Sequence, residues 1–165
     1  MQIHLSLRRR GAVLVYGIPL WYRIVSGLTA LTLVAAAAVS GGLGIAGTAI
    51  VIVAILAALY QERWTFDAAA DACTGRTGLV FAATGPSFRA SDVIRLRIDV
   101  FAKGRLDQQN LPPEDRMPMG SQARLLVEAK DGEVYMLDSV SFKRRAELEA
   151  SALAISEALG VPLES

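Results

Sequence analysis

A run of 37 residues without a charged side chain, residues 24–60, constrains this chain more than any other feature of its sequence. A charge at the centre of a bilayer costs roughly 2.5–3.5 kcal/mol on insertion scales, so a long uncharged apolar run is typical of a membrane-spanning segment. One helix of that length would measure about 55 Å, whereas the hydrocarbon core of a bilayer is about 30 Å thick. The glycines within residues 41–44 favour a break, because glycine has a low helix propensity. The run therefore predicts a transmembrane hairpin with helices at about residues 20–39 and 43–60.

The charges are distributed unevenly between the two parts of the chain. Residues 1–60 contain four arginines and no acidic residue, whereas residues 61–165 contain 13 Lys and Arg against 16 Asp and Glu, which gives net charges of +4 and −3. The acidic balance of the second part disfavours a nucleic-acid partner, since such a partner requires a basic surface. The second part is long enough for one compact domain. We therefore expect an N-terminal interfacial segment (1–19), the helical hairpin (20–60) and a cytoplasmic domain (61–165).

Arginines at both ends of the hairpin predict its orientation. Three consecutive arginines at residues 8–10 and Arg23 flank the start of the first helix, Arg63 follows the second, and the connecting turn has no basic residue. Positive charge is retained on the cytoplasmic side of a membrane. We therefore expect a multi-pass protein of the inner (cytoplasmic) membrane, with the lipid bilayer as a partner and both termini in the cytoplasm. The alternative is a cleaved signal peptide, although a second apolar run would remain after cleavage.

The N-terminal segment has the pattern of a short strand pair. Ile3, Leu5 and Leu7 alternate with polar residues, the sequence RRRG at residues 8–11 indicates a turn, and residues 12–16 form a second apolar stretch. We expect either a small β-hairpin at the inner membrane face or a strand pair that leans on the soluble domain. The arginines would lie near anionic headgroups, or would act only as topology signals.

From residue 61 onward the apolar spacing changes to every second residue, which is typical of strands. The clearest strand is residues 92–101, in which apolar and charged residues alternate. Residues 71–84 can hold two short strands around Gly75 or Gly78. Two more strands, at residues 124–130 and 133–138, are joined by a strong hairpin signal, Asp131-Gly132.

An amphipathic helix is predicted at about residues 142–159. Ser141 is a suitable N-cap and Gly160 a suitable stop. The predicted fold class is therefore an α+β membrane protein. A two-helix transmembrane hairpin is followed by a small antiparallel sheet or barrel, which the C-terminal helix closes.

The order of several short antiparallel strands and one closing helix resembles the bacterial pleckstrin-homology-like (PH-like) domain. The resemblance covers residues 61–165 and rests on the sequence SDVI at residues 91–94, on the Asp131-Gly132 hairpin and on the ending LGVPL at residues 159–163. The whole layout is also similar to the photosystem I assembly factor family, whose members have an N-terminal hairpin, a PH-like region and a similar ending. The resemblance implies a non-enzymatic scaffold or assembly role, not photosynthesis as such.

Residues 103–120 depart from that pattern with a polar segment that contains three prolines. Proline excludes a central strand, and a loop of this length is usually either disordered or functional. One interpretation is a mobile insertion between two strands. The other is a docking segment for a partner protein, with Leu111, Met117 and Met119 as its apolar contacts.

The sequence contains no pattern typical of a catalytic or cofactor site: no glycine-rich phosphate loop with its lysine, no HExxH and no cysteine pair. Cys73 has no histidine nearby in sequence, because the only histidine is His4, so we expect a small sheet residue rather than a nucleophile. Asp67 and Asp71 flank three alanines, where turn and cap hydrogen bonds are expected rather than acid–base catalysis. We therefore expect no enzyme activity, no cofactor and no metal.

Arg95 and Arg97 project from one face of the central predicted strand. They are candidates for binding phosphate headgroups or an acidic partner. The alternative is a solvated face on which they pair with Asp99 and Glu128.

These features predict a membrane-anchored, non-enzymatic binding module that acts as a scaffold or assembly factor for a membrane protein complex. Small residues on both helices favour close packing, either within the pair or against a partner's helices. That partner can be another membrane protein or a second copy of this chain in a homo-oligomer. One alternative is a lipid-headgroup-binding PH-like protein, which the negative charge of the soluble domain disfavours. The other is an enzyme with an unrecognised site, which would need a pocket with convergent polar groups.

Overall fold

The structure, a computed structural model, describes residues 5–42, 44–102, 117–118 and 120–164. Within these residues the architecture is α+β, as predicted, with three α-helices and nine strands. The helices are α1 (Leu20–Ser40), α2 (Ile45–Leu59) and α3 (Arg145–Leu159). The strands are β1 (Ser6–Arg10), β2 (Val13–Gly17), β3 (Tyr60–Asp67), β4 (Ala72–Leu79), β5 (Ser87–Phe88), β6 (Val93–Phe101), β7 (Gln122–Ala129), β8 (Val134–Ser141) and β9 (Leu163–Glu164).

The first sheet joins the N-terminal strands to the strands that follow the helices. Its order is β1-β2-β3-β4-β5, and all neighbours are antiparallel. In the β1–β2 hairpin Ser6 lies opposite Gly17 and Arg10 opposite Val13. Of the two arrangements expected for the N-terminal segment, the structure has the strand pair that joins the following domain.

β4 differs from the prediction for its region. The sequence indicates two short strands around Gly75 or Gly78, whereas the structure has one continuous strand through both glycines. Trp64 of β3 lies over Gly75, where a Cβ atom would be 2.8 Å from the indole ring. The glycine therefore provides space for the indole and does not end the strand.

The second sheet has the order β8-β7-β6-β9, in which β9 is parallel to β6 and the other pairs are antiparallel. The Asp131-Gly132 hairpin between β7 and β8 is confirmed: Gly132 has a φ of +84°, and the Glu133 N–H donates to Asp131 Oδ1 at 2.9 Å. The prediction allowed either an open sheet or a barrel. Among the described strands the two sheets do not close into a barrel. Each sheet ends in two edge strands, β1 and β5 in the first and β8 and β9 in the second, and no described strand of one sheet pairs with a strand of the other.

One apolar core lies between the two sheets, and α3 covers part of it. Tyr16 and Phe66 from the first sheet and Leu96 and Leu125 from the second are less than 2% exposed. The helix contributes a buried stripe formed by Leu148, Ala152 and Ile155. The domain therefore depends on residues from both sides of the helix pair in sequence.

The predicted boundaries of α3 hold at one end only. Gly160 adopts a left-handed conformation with a φ of +68° and ends the helix, as predicted. At the other end α3 begins at Arg145, after a 3₁₀ turn (Phe142–Arg144), and Ser141 makes no side-chain capping hydrogen bond. The predicted N-cap at Ser141 is wrong because β8 extends through Ser141 as a strand.

The helix pair α1–α2 is inserted between two neighbouring strands of the first sheet. Ile18 and Pro19 connect β2 to α1, and α2 ends at Leu59, directly before β3 begins at Tyr60. The Ile18 N–H donates to the Glu62 carbonyl oxygen at 3.0 Å. The sheet thus holds both ends of the helix pair together.

The predicted glycine break separates α1 from α2. Gly41 has a φ of +81°, and the Gly42 N–H donates to the Ala37 carbonyl oxygen at 3.0 Å, a capping arrangement that ends a helix. The two helices then pack through small residues. A Cβ atom at Gly27 would lie 3.9 Å from the Cβ of Ala58.

We expect Gly17→Ala to destabilise the protein, because a Cβ atom there would lie 2.6 Å from the Glu62 carbonyl oxygen. The contact falls on backbone of the sheet, and overpacking of this kind costs about 1–3 kcal/mol. Gly27→Ala is the matched control, since its methyl group would make an ordinary contact with Ala58. Thermal unfolding of both variants in detergent measures the effect. Equal melting temperatures would contradict the close approach of β2 to β3.

Candidate functional site

The helix pair carries an apolar surface that the described part of the protein does not cover. In the most apolar 18-residue stretch of α1, only 6% of the residues are buried. On α2, Val53 is 65% exposed. The large exposed apolar residues of the pair are Leu20, Trp21, Ile24, Val25, Leu28, Leu31, Val34, Val39, Ile45, Ile50, Ile52, Val53, Ile55 and Leu56. Soluble monomers rarely expose contiguous apolar patches larger than about a few hundred Å². This surface is therefore a candidate for contact with an apolar partner or environment.

Among the described helices, one satisfies the length and composition of a membrane span. Leu20–Val39 has 20 residues and a mean hydropathy of 1.6, whereas Ile45–Leu59 is apolar but has only 15 residues. Core helices and signal sequences meet the same criterion. α1 differs from a core helix because Ala30 is the only buried residue among its described side chains. The second predicted span is shorter in the structure than the sequence indicates.

Arg23 connects the two helices near their common base. Its Nε–H donates to the Ala58 carbonyl oxygen at 3.0 Å. That carbonyl lies in the last turn of α2, where carbonyl oxygens lack partners within the helix. Trp21 and Tyr22 precede Arg23, with ring centroids 6.1 Å apart in an edge-on arrangement. Aromatic and arginine side chains at the end of an apolar helix are typical of a membrane–water boundary.

Next to this base, four arginines line an open cleft of about 140 Å³ on the first sheet. Arg8 and Arg10 come from β1, Arg63 from β3 and Arg23 from α1. Glu62 is the only acidic residue in the lining. Within the described part of the chain, Arg8, Arg10 and Arg63 form no ion pair. The cleft therefore has an excess of positive charge that is available to an anionic ligand.

The strand register explains why these arginines converge. Alternate residues of a strand point to opposite faces, and directly opposite residues share a face. Arg8 and Arg10 therefore lie on one face with Ser6, which is opposite Gly17, and Gly17 is in turn opposite Arg63. Because Gly17 has no side chain, the middle of this row is open and forms part of the cleft.

Arg76 extends this basic surface beyond the cleft. It is exposed and lies on β4 directly opposite Arg63. We name the four residues Arg8, Arg10, Arg63 and Arg76 the arginine face. The sequence shows two of them, Arg63 and Arg76, only as separate charges, because β2 pairs with β3 across the helix insertion. The one signal in the sequence is the basic run at residues 8–10.

Glu62 lines the cleft and is also close enough to Asp138, which binds the buried Tyr16, to be affected by its charge. Burial raises the pKa of the Glu62 carboxyl group above its ordinary value, and the charge of Asp138 raises it further. The Tyr16 hydroxyl donates to the Asp138 carboxylate, which links β2 in the first sheet to β8 in the second. Burial and the same carboxylate raise the pKa of Tyr16, so its hydroxyl stays protonated.

The two arginines that the sequence singles out lie on β6, away from the cleft lining. Arg95 binds Glu128 at 2.7 Å and Glu164 at 2.8 Å, and Arg97 binds Asp99 at 2.9 Å. Glu128 and Asp99 are the partners that the alternative interpretation names. The charges of Arg95 and Arg97 are therefore compensated within the domain.

The apolar contacts predicted for the insertion lie mostly outside the described residues. This holds for Leu111 and Met119, and also for His4. Met117 is described and is half-buried, and it does not line the cleft. The docking role of this segment stays a prediction.

Cys73, Asp67 and Asp71, the residues considered above as possible reactive groups, are buried or are held by hydrogen bonds within the domain. Cys73 is fully buried, and burial followed by the charge of Asp71 raises the pKa of its thiol to about 12. Asp67 Oδ1 accepts a hydrogen bond from the Ala70 N–H at 3.0 Å. Asp71 accepts one from the Ser91 N–H at 2.6 Å and one from the Ser91 hydroxyl at 2.9 Å, which hold the pKa of Asp71 below its ordinary value. Nowhere in the described ranges do three potential metal ligands come together.

Comparisons with known proteins assign no family, since no family model matches the chain and no curated protein is significantly similar to it. The resemblance to PH-like domains and assembly factors is thus carried by the short motifs alone. The helix surface and the arginine face are the features from which a function can be inferred.

We expect Glu62→Gln to stabilise the protein more at neutral pH than at acid pH. A carboxyl group whose pKa is raised by folding stabilises the folded state below its ordinary pKa of 4.5, and this contribution is lost as the pH rises through the folded pKa. Glutamine has a similar shape and no charge, so the variant avoids that loss. Melting temperatures between pH 4 and pH 8 measure the difference, with the exposed Glu157→Gln as control. A difference between Glu62→Gln and wild type that does not grow with pH would contradict the burial of Glu62.

Proposed function

We propose that this protein is a membrane-anchored, non-enzymatic binding module that acts as a scaffold or assembly factor for a membrane protein complex. In this proposal α1 and α2 insert into the bilayer as a hairpin, and the two-sheet domain lies at the cytoplasmic face. The observation that carries it is the uncovered apolar surface of a helix pair whose two ends are held in one sheet.

Lipid is the environment that fits the surface of the helix pair. Each Leu, Ile, Phe or Val at the centre of a span contributes about −0.3 to −0.6 kcal/mol on insertion scales. The three threonine side chains of the pair are also satisfied locally. The hydroxyl groups of Thr29 and Thr32 donate to carbonyl oxygens one turn earlier at 2.9 Å, and that of Thr48 does so at 3.3 Å. Such bonding removes the cost of an unpaired hydroxyl in hydrocarbon.

The connection to the sheet supports a hairpin that enters and leaves the bilayer from one side. Because β2 and β3 are hydrogen-bonded neighbours, the start of α1 and the end of α2 lie at the same edge of the domain. If α1 crosses the bilayer, α2 must therefore bring the chain back. The four arginines of residues 1–60 near this edge favour the cytoplasmic side.

The length of α2 requires a modest adjustment of the bilayer. Its 15 residues measure about 22 Å, against a hydrocarbon core of about 30 Å. Local thinning and snorkelling accommodate such a mismatch at fractions of a kcal/mol per Å. Trp21, Tyr22 and Arg23 at the base of the pair are suited to that boundary.

The fold favours an intact hairpin over a cleaved signal peptide. Cleavage near residues 36–38 would remove β1 and β2, and with them Leu14 and Tyr16, which are 6% and 0% exposed. The loss of buried side chains of this size costs several kcal/mol each. In the proposal β1 and β2 therefore belong to the PH-like domain, whose first sheet they complete.

A binding role is further supported by the burial of Cys73 and by the hydrogen bonds that hold Asp71. The Cys73 thiol is inaccessible, and Asp71 is held by Ser91. The arginine face offers charge and hydrogen-bond donors for recognition, whereas guanidinium groups do not act as bases. An acidic segment of a membrane protein would fit this surface.

The arginine face also favours a second function, the binding of anionic lipid headgroups. It adjoins the base of the helix pair, where headgroups would lie if the helices insert. Each arginine near an anionic membrane surface contributes about 1 kcal/mol of attraction. The arginine face is a better candidate for this than Arg95 and Arg97, whose charges are compensated.

The anchor is tested by extraction of the membrane fraction. We expect the protein to resist alkaline carbonate and high salt and to be released only by detergent. In a matched variant Asn-Gly replaces residues 19–61, which joins Ile18 to Glu62 through a tight turn and removes the helices. This variant should appear in the soluble fraction. Release of the full chain by carbonate would contradict the anchor.

The ligand of the arginine face is tested in nanodiscs that contain the full chain. We expect anionic lipid to raise the melting temperature relative to zwitterionic lipid, and the triple change Arg8→Gln, Arg10→Gln and Arg63→Gln to abolish most of that rise. A control with the same change of charge replaces the basic residues at positions 89, 130 and 143 with glutamine. An equal rise in both triple variants would exclude headgroup binding by the arginine face.

A further inference from the structure

We infer that the turn after β4, residues 79–82, is a second membrane contact that inserts Val80 and Phe81 into the interfacial layer of the lipid bilayer. The inference rests on the proposed anchor, because it requires the helix pair to be in lipid. The proposed contact comes from the first sheet. Its residues belong neither to the apolar helices nor to the arginine face.

The composition of this turn is unusual for its geometry. The Ala82 N–H donates to the Leu79 carbonyl oxygen at 2.8 Å, which places Val80 and Phe81 at the two corners. Corner positions of β-turns normally hold Gly, Pro, Asn, Asp or Ser. Here they hold large apolar side chains that are 46% and 75% exposed. Water is an unfavourable environment for both.

Phe81 differs in this respect from another exposed phenylalanine. The ring of Phe101 is covered by the guanidinium group of Arg124, 4.1 Å from the ring centroid. In the described residues no aromatic ring or cation lies against the ring of Phe81. Among the described residues, the ring of Phe81 therefore has no aromatic or cationic partner.

The position of the turn points to lipid as the partner. β4 runs antiparallel to β3, so it approaches the end of α2, and its last pair is Leu79 with Tyr60. The Val80 N–H then donates to the carbonyl oxygen of Leu59, the last residue of α2, at 2.9 Å. The exposed side chains of the turn therefore adjoin the apolar helix surface, and a bilayer that surrounds the helices would reach them.

The turn is also held as a fixed projection. Below it, Thr77 and Thr84 exchange backbone hydrogen bonds of 2.8 and 3.2 Å. This pair closes the loop, so Phe81 projects from a short rigid arm and does not hang from a flexible segment. With the helix pair as the first contact and this turn as the second, the tilt of the first sheet against the membrane is restricted.

The test is a spin-label depth measurement on the full chain in liposomes, with three single substitutions. Phe81→Cys probes the turn, Val53→Cys probes the exposed surface of α2, and Val134→Cys probes the second sheet, where Val134 is 51% exposed. The native Cys73 is fully buried and its thiol has a raised pKa, so it should take up no label, which the wild-type chain checks. Collision with oxygen reports lipid, and collision with a water-soluble nickel complex reports water.

We expect Val53→Cys to be deep, Phe81→Cys to be shallow but several-fold better protected from nickel than Val134→Cys, and Val134→Cys to be in water. If Phe81→Cys matches Val134→Cys while Val53→Cys is in lipid, the turn does not insert and the anchor stands. If Val53→Cys is also in water, the anchor itself is wrong and the inference falls with it.

Discussion

The hydrogen bonding between β2 and β3 is the constraint on which the rest of the structure depends. It brings Gly17 opposite Arg63 and the Ile18 N–H to the Glu62 carbonyl oxygen, so that an apolar helix pair leaves and re-enters the sheet at adjacent strands. The apolar surface of the helices, the cleft beside them and the turn after β4 all meet at this edge. A short glycine at position 17 makes the approach possible, since any side chain there would meet backbone.

The same pairing converts scattered charges into a surface. Arg8 and Arg63 are separated in sequence by both helices, yet they line one cleft because β1, β2 and β3 are successive strands. On the other sheet Arg95 and Arg97 are engaged by acidic neighbours. Residues 61–165 have a net negative charge, whereas the surface that adjoins the helices is positive.

Features that depend on neighbouring residues could be predicted from the sequence. The glycine break after α1, the strand β6, the Asp131-Gly132 turn and the end of α3 at Gly160 all follow from local pattern and local backbone preference. Features that depend on distant partners could not. The bond between Tyr16 and Asp138 joins residues 122 positions apart, and Glu164, which binds Arg95, is reached only because β9 lies beside β6. The predicted N-cap at Ser141 was wrong for a related reason. Ser141 belongs to β8, where it pairs with the distant Gln122.

The central claim, that the helix pair crosses a bilayer and returns to the side it left, is tested most directly by the sidedness of two introduced cysteines. Gly44→Cys lies in the connection between α1 and α2, where a side chain meets nothing within 4 Å, and Val134→Cys lies on β8. The measurement is labelling of intact cells by a membrane-impermeant maleimide, before and after permeabilisation of the inner membrane. The account predicts that Gly44→Cys is labelled in intact cells and that Val134→Cys is labelled only after permeabilisation. Labelling of both positions from the same side would contradict it.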